Sequence, residues 1–224
     1  MTVSFRSEIE RDASLRGFLG DLAGLADQVG VGGAKVAEEG ALGSGSFELS
    51  GVVDLKSLRQ FLIEYRDRLM VPIELPTIIE ASLMVERGEF RELMGLDQSL
   101  AKKPEMRVFS ESSQWIGQCH AKTMRGMKDH RTVWRYCDAI RAKKAFGWHT
   151  VVYGVVLAAF SIPVRQGIVN YCERVINGFA DSAATRLNLG AEDIELVKLQ
   201  TTAEMSSFID RAVAKNTGSG LRVL

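Results

Sequence analysis

Reactive patterns are scarce in this chain. Three cysteines and three histidines occur in 224 residues, and Cys119, His120, His130, Cys137, His149 and Cys172 form neither a Cys-x-x-Cys nor a His-x-x-x-His pair. Metal sites built on those spacings are therefore not indicated. Cys119 and His120 are adjacent and do not converge on one ion from a helix, and a buried free cysteine behaves as a small hydrophobe. The absence of a Gly-x-Ser-x-Gly elbow leaves nucleophilic hydrolysis without a candidate. Gly43-Ser44-Gly45-Ser46 lacks the Gly-Lys-Ser or Gly-Lys-Thr ending that holds a nucleotide phosphate, so it reads as a connection. Glu38 with Glu39, and Glu192 with Asp193, fit solvated loops and helix starts better than an acid and base pair. No catalytic residue and no intrinsic metal or cofactor is expected.

Long apolar runs are also missing. The longest, Thr150 to Pro163, falls short of the roughly 20 residues that cross a hydrocarbon core, so it reads as a buried helix. The first residues, with Arg6, Glu8, Glu10, Arg11 and Asp12, have no apolar segment before a cleavage site, and the expectation is a cytoplasmic protein. Prolines number four and aromatics are few. What is abundant is Ala, Leu, Met, Glu and Arg, residues that lose little rotamer freedom in a helix. With 46% hydrophobic and 25% charged residues, the chain reads as a globular all-α protein. The expected architecture is a single helical bundle of about eight to ten helices over residues 1–224.

Charge is balanced overall but uneven along the chain. Residues 1–100 hold 10 Lys or Arg against 17 Asp or Glu, residues 101–150 hold 11 against 4, and the remainder holds 7 of each. Such asymmetry steers association with an oppositely charged partner, or it is exchanged between two halves of one molecule. The basic stretch carries no nucleic-acid recognition motif, and the neutral total argues against that class of partner.

Apolar spacing predicts the elements. A weak helix covers residues 8–27, interrupted by Gly17, Gly20 and Gly24, and a glycine-rich loop follows at 29–53, with a short strand pair conceivable around Ser46 to Val53. Asp54 caps a helix carrying Leu55, Leu58, Phe61, Leu62, Tyr65 and Leu69, which should end near Met70 before Pro72 and Pro76. A helix from about Pro76 to Arg87 stops at Gly88, and another carries Phe90, Leu93, Met94 and Leu100. Pro104 starts a long helix with Met106, Phe109, Ile116 and Met124, in which Ser112, Ser113 and Gly117 allow close backbone approach. Asp129 to Lys143 turns Val133, Trp134, Cys137 and Ile140 inward. Core helices follow at 149–160 and 163–188, the second with Pro163 in its first turn. A last helix, Ala191 to Lys215, precedes a loose tail at 216–224.

The helix after Pro163 breaks its own pattern. Cys172, Val175, Ile176, Phe179 and Ala183 share one face, with Asn170, Asn177, Asp181 and Asn188 roughly opposite, yet Arg186 falls on the apolar side. A guanidinium there is either paired within the chain, because an unpaired buried charge costs on the order of several kcal/mol, or reaches into a surface that another chain covers. Ser182, Ala183 and Ala184 leave room for a close partner or for neighbouring helices of the same chain. Gln114 and Arg186 can supply directional hydrogen bonds. His149, at a helix start, reads as a structural or interface residue ahead of a ligand.

Several of these marks occur in an order that resembles a known family. His149 heads an apolar helix containing Gly154, Ser161-Ile162-Pro163 breaks the chain, and a long helix runs into Ser182-Ala183-Ala184-Thr185-Arg186-Leu187. Upstream, Gln114 and Gly117 sit in a helix similar to the family's Leu-Arg-x-x-Ser-x-x-x-Gly stretch. From roughly Leu55 to Gln200 this looks like urease accessory protein F. Two motifs depart. The family's N-terminal Pro-x-Gly-Gly/Ala-Phe/Tyr stretch is represented only by the glycines of Val29 to Gly40, and its Pro-Leu-Gly-Gln is replaced by Asn188-Leu189-Gly190-Ala191-Glu192. The resemblance carries no contact through either motif.

The resemblance implies an all-helical, dimeric, non-enzymatic scaffold that bridges the accessory GTPase G and accessory protein D, also called H, and assists nickel delivery to apo-urease. Nickel would then be cargo of the complex. By the same resemblance, partner contacts fall near Ser182, Ala184, Arg186, Leu187, Gln114, Gly117 and His149. The rival readings are a helical adaptor for another assembly and an enzyme whose pocket draws on His149, Gln114 and Arg186.

Overall fold

The computed structural model describes residues 52–217, apart from residues 108 and 125 and the side chains of Ser112, Thr185, Arg186 and Thr217. The helix expected at 8–27, most of the glycine-rich loop and the end of the tail lie outside these residues. So does the conceivable strand pair, except Val52 and Val53, which are not in a strand. Among the described residues every regular element is helical, as the composition predicts.

Asp54 starts the first helix by a reciprocal cap. The Ser57 nitrogen donates to Asp54 Oδ1 at 2.8 Å, and the Asp54 nitrogen donates to Ser57 Oγ at 3.0 Å, satisfying two donors that a helix start leaves open. Helix α1 (Leu55–Tyr65) buries Leu58, Phe61, Leu62 and Tyr65 as the spacing predicts. It does not end near Met70. The chain continues through a π-helical stretch (Arg66–Glu74) straight into α2 (Leu75–Glu86). Pro72 is accommodated because i→i+5 winding displaces the carbonyl with which the ring of an α-helical proline collides; the residue itself is exposed.

The remaining elements are α3 (Phe90–Leu100), α4 (Pro104–Arg107), α5 (Ser110–Thr123), α6 (Arg131–Arg141), α7 (His149–Ala159), α8 (Val164–Leu187), α9 (Ala191–Thr202) and α10 (Met205–Thr217). Two expected long helices are each divided. The Pro104 helix stops at Arg107, and Phe109, with φ −103° and ψ 6°, precedes α5. The last helix turns at Ala203 and Glu204, and this break lets Met205 and Ile209 enter the core as α10 packs on α2 and α8. Pro163 stands just before α8 rather than in its first turn.

Helix α7 lies at the centre, with every residue from His149 to Leu157 buried. Its most extensive partner is α2. Gly154 makes that crossing possible: a Cβ there would collide with the Ile78 carbonyl oxygen and come within 2.7 Å of Ala81 Cβ. One hydrophobic cluster extends from Leu58 to Ile209.

Four helices end in the same motif, with the backbone bonds of the first residues past the helix folded back on the last turn. Gly88, Lys143, Ser161 and Asn188 occupy its left-handed position, with φ of 73°, 56°, 53° and 53°. After α6, for example, the Lys144 nitrogen donates to the Ala139 carbonyl at 2.9 Å and the Lys143 nitrogen to the Ile140 carbonyl at 3.0 Å.

Two inward and outward assignments change. Cys172, Val175, Ile176, Phe179 and Ala183 are buried as expected, but Asn170 is also buried, at 1% exposure. The first half of α8 passes through the centre and is enclosed on all sides from Gly167 to Cys172, so its polar position has no solvent to face. Trp134 is 44% exposed. Helix α6 packs through Thr132, Val133, Tyr136, Cys137 and Ala139, and Trp134 falls on the far side of the helix beside exposed Arg135.

Candidate functional site

The polar centre of the molecule is a chain of hydrogen bonds through the core. Tyr65 ends α1 and Glu74 ends the π-helical stretch; the wider winding brings these residues, nine apart, to one side. The Tyr65 hydroxyl donates to Glu74 Oε1 at 2.7 Å. Tyr171 from α8 faces Glu74 closely enough to lower its carboxyl, and its hydroxyl lies 2.7 Å from His149 Nε2 at the start of α7. His149 Nδ1 lies 2.7 Å from Ser113 Oγ on α5. Five side chains from the α1 end, the π-helical stretch, α5, α7 and α8 thus meet in one buried line. The His149 and Tyr171 rings stack at 15° with centroids 5.9 Å apart.

Burial sets the charges in this line. It raises the Glu74 carboxyl to about 7, against the lowering effect of the Tyr65 and Tyr171 hydroxyls. It pushes the His149 imidazole down to about 3 and lifts the Tyr171 phenol and the nearby Cys172 thiol far above their usual ranges. Glu74 Oε1 and His149 Nε2, 3.8 Å apart, are consequently not an ion pair near neutral pH. With Glu74 ionised, Ser113 donates to Nδ1, Nε2–H donates to the Tyr171 oxygen, Tyr65 donates to Glu74, and the Tyr171 hydroxyl turns its proton toward the carboxylate. With Glu74 protonated the direction between Glu74 and Ser113 can reverse. The arrangement can hold or pass a proton.

These shifts predict a pH profile. The folded chain keeps the Glu74 proton up to about pH 7, whereas an ordinary carboxyl releases it near 4.5. Stability from that proton is present at low pH and is lost as pH rises from 4.5 to 7, by roughly 3 kcal/mol. His149 works the other way: its neutral folded form costs stability as pH falls from 6.5 to about 3. Between pH 4.5 and 6.5 the two slopes offset. Glu74→Gln keeps an acceptor for Tyr65 and removes only the first slope. Urea melts should show its stability relative to the native protein rising by about 3 kcal/mol from pH 4.5 to 8; an equal difference at both pH values would contradict the assignment.

A second buried carboxylate organises the loop that leads into α7. Asp97 Oδ1 accepts from Tyr136 Oη at 2.7 Å and from the Gly147 nitrogen at 3.0 Å, and Oδ2 accepts from the Phe146 nitrogen at 2.6 Å. The Trp148 nitrogen points to the same group at 3.4 Å. Burial raises the Asp97 carboxyl, and these donors oppose the shift. Against the same loop lies Gly117 of α5. A Cβ on Gly117 would collide with the Gly147 carbonyl oxygen, 2.7 Å from the His149 nitrogen and 2.8 Å from the Trp148 carbonyl carbon.

The structure therefore brings Gly117 and His149 together, with Gln114 half-buried on the same helix as Gly117. Gly117 is held against backbone and His149, at 4% exposure, is enclosed by its hydrogen-bond partners. Ser182, Ala184 and Leu187 are half-buried on the last two turns of α8. Arg186 lies on the same turns, and its side chain is outside the described residues. The three cysteines are free, Cys137 and Cys172 buried and Cys119 half-buried.

A protein-family model, UreF, matches residues 52–191. The chain belongs to the urease accessory protein F family. The match runs from just before the Asp54 cap to the first residue of α9, so the UreF region contains both buried carboxylates, the enclosed His149 and the whole of α8. UreF proteins are accessory to urease rather than the enzyme itself, and this chain has a urease accessory role. No curated protein matches the chain. Among the described residues of this UreF protein, no helix is long and apolar enough to cross a membrane, and no three His, Cys, Asp or Glu gather as a metal site.

Sequence reasoning missed Tyr65, Glu74, Tyr171, Asp97 and Tyr136 as polar groups of the core. One signal was available: Asp97 stands in helical register with Leu93 and Leu100, a carboxylate on an apolar stripe.

Proposed function

We propose that this UreF protein is a non-enzymatic scaffold that joins the accessory GTPase G to accessory protein D/H and assists transfer of nickel to apo-urease. In this reading residues 1–224 form one helical domain, the working unit is a cytoplasmic homodimer, nickel is the cargo of the complex, and the chain needs no resident cofactor. The observation that carries the reading is the family match across the helical core. A supporting observation is that the polar groups of that core, Glu74, His149, Tyr171 and Asp97 among them, are enclosed, which suits holding a shape for partners. Half-buried Ser182, Ala184 and Leu187, together with Arg186 and Gln114, are the proposed contacts; Gly117 and His149 fix the α5 and α7 surfaces from beneath.

Reconstitution of apo-urease with nickel, GTP and the other accessory proteins tests this directly. Urease activity should depend on the chain, and activation that is equally fast without it would refute the scaffold role. Arg186→Ala should leave helix content and melting nearly unchanged while abolishing co-purification of the partners. A loss of about 3–5 kcal/mol in stability instead would identify an internal buried pair.

A further inference from the structure

The ends of α3 and α6 and the loop before α7 border an open surface depression of about 390 Å³, lined by Gln98 and Ala101, by Lys102, Lys143 and Lys144, and by Ala145 with Phe146. Its floor is apolar: Ala145 is buried and Phe146 presents its ring at 39% exposure. Its rim is three exposed lysines, none of which makes an ion pair among the described residues. No acidic side chain lines it.

Two features show that the shape is held rather than incidental. Asp97 grips the Phe146 nitrogen at 2.6 Å, and Gln118 Nε2 donates to the Phe146 carbonyl at 3.0 Å, so the aromatic wall is tied on both sides. Lys143 takes the left-handed position that closes α6, where glycine is the unstrained choice. A lysine there accepts backbone strain and adds a positive charge to the rim.

We propose that this depression is a docking site for an acidic peptide segment that carries a large apolar side chain. The apolar side chain sits on Ala101, Ala145 and Phe146, and flanking carboxylates meet Lys102, Lys143 and Lys144. Charge complementarity selects the partner: the stretch 101–150 holds 11 basic against 4 acidic residues, while the chain as a whole is neutral. An open depression of this volume with an apolar floor suits one or two side chains, and the neutral total gives no long-range field for a nucleic acid. The site does not depend on which proteins the scaffold joins.

The probe is a fluorescein-labelled peptide, Asp-Glu-Glu-Leu-Phe-Glu-Asp-Glu, added to the full chain and followed by polarisation. Binding should weaken with salt, and a control peptide with Ser for Leu and Phe should bind at least about tenfold more weakly. The combined K102E, K143E and K144E change should lower affinity by about tenfold or more, with circular dichroism confirming an unchanged helix content. Lys143→Gly separates binding from folding: it should raise the melting temperature by relieving strain and still weaken the peptide several-fold. No binding, equal binding of the Ser control, undiminished binding by the folded triple variant, or equally tight binding of a thymidine oligonucleotide would each overturn the proposal.

Discussion

Gly117→Ala is expected to lose about 3 kcal/mol of stability or more, although it adds a single methyl group to a helix. In an exposed helix the same substitution stabilises by about 1 kcal/mol, so the sign is set by what lies opposite. Here the new Cβ meets three backbone atoms of Gly147, Trp148 and His149. Overpacking costs about 1–3 kcal/mol when side chains can yield, and backbone pinned by Asp97 and by the start of α7 yields less. Gly95→Ala is the matched comparison: Gly95 is exposed in α3 with nothing within 4 Å of its added Cβ. Denaturant melts should place the two variants on opposite sides of the native protein. If Gly117→Ala proves neutral, the close approach of α5 to the loop is not as described.

Asp97→Ala should be comparably severe, at about 3–5 kcal/mol. The substitution leaves the Tyr136 hydroxyl and the Gly147 amide buried, and the Phe146 amide part-buried, without an acceptor, and each buried orphaned donor costs about 1–3 kcal/mol before relaxation. Tyr136→Phe removes one donor and leaves Asp97 its backbone partners, so its cost should be nearer 1 kcal/mol. Amide hydrogen exchange gives the local readout. In Asp97→Ala the protons of Phe146 and Gly147 should exchange faster than those of α2, whose hydrogen bonds do not involve this carboxylate. A variant in which all amides accelerate equally would show global loosening and no special hold on the loop.

Local signals in the amino-acid order were reliable where they are satisfied locally. The Asp54 cap, the stop at Gly88 and the apolar stripe of Leu58, Phe61, Leu62 and Tyr65 all depend on residues within a turn or two of each other, and all are present. The stripe on α8 was legible over Cys172 to Ala183, where the helix has one wet side, and misleading at Asn170, where it has none. Trp134 was misplaced because a face drawn through Val133, Cys137 and Ile140 is equally open to widening on either flank, and the core takes the Tyr136 flank. The buried polar line was illegible for a different reason. Glu74 looked like part of a proline-punctuated connection, and its partners Tyr171 and His149 lie far along the chain, so only tertiary packing reveals that one carboxyl serves them all. The division of the last helix at Ala203 has no glycine or proline to announce it.

The π-helical stretch makes the first half of the bundle sensitive to length rather than to composition. Between Arg66 and Ile73 the chain carries more residues per turn than an α-helix would need to reach the same place. Deleting one of them while the wide winding is kept would rotate α2 by roughly a quarter turn relative to α1. Glu74 would swing away from Tyr65 and the Ile78 to Ser82 ridge would leave the notch at Gly154. A single-residue deletion there acts as a turn of the screw on everything that follows, whereas an exposed side-chain change at Arg68 leaves the pitch untouched.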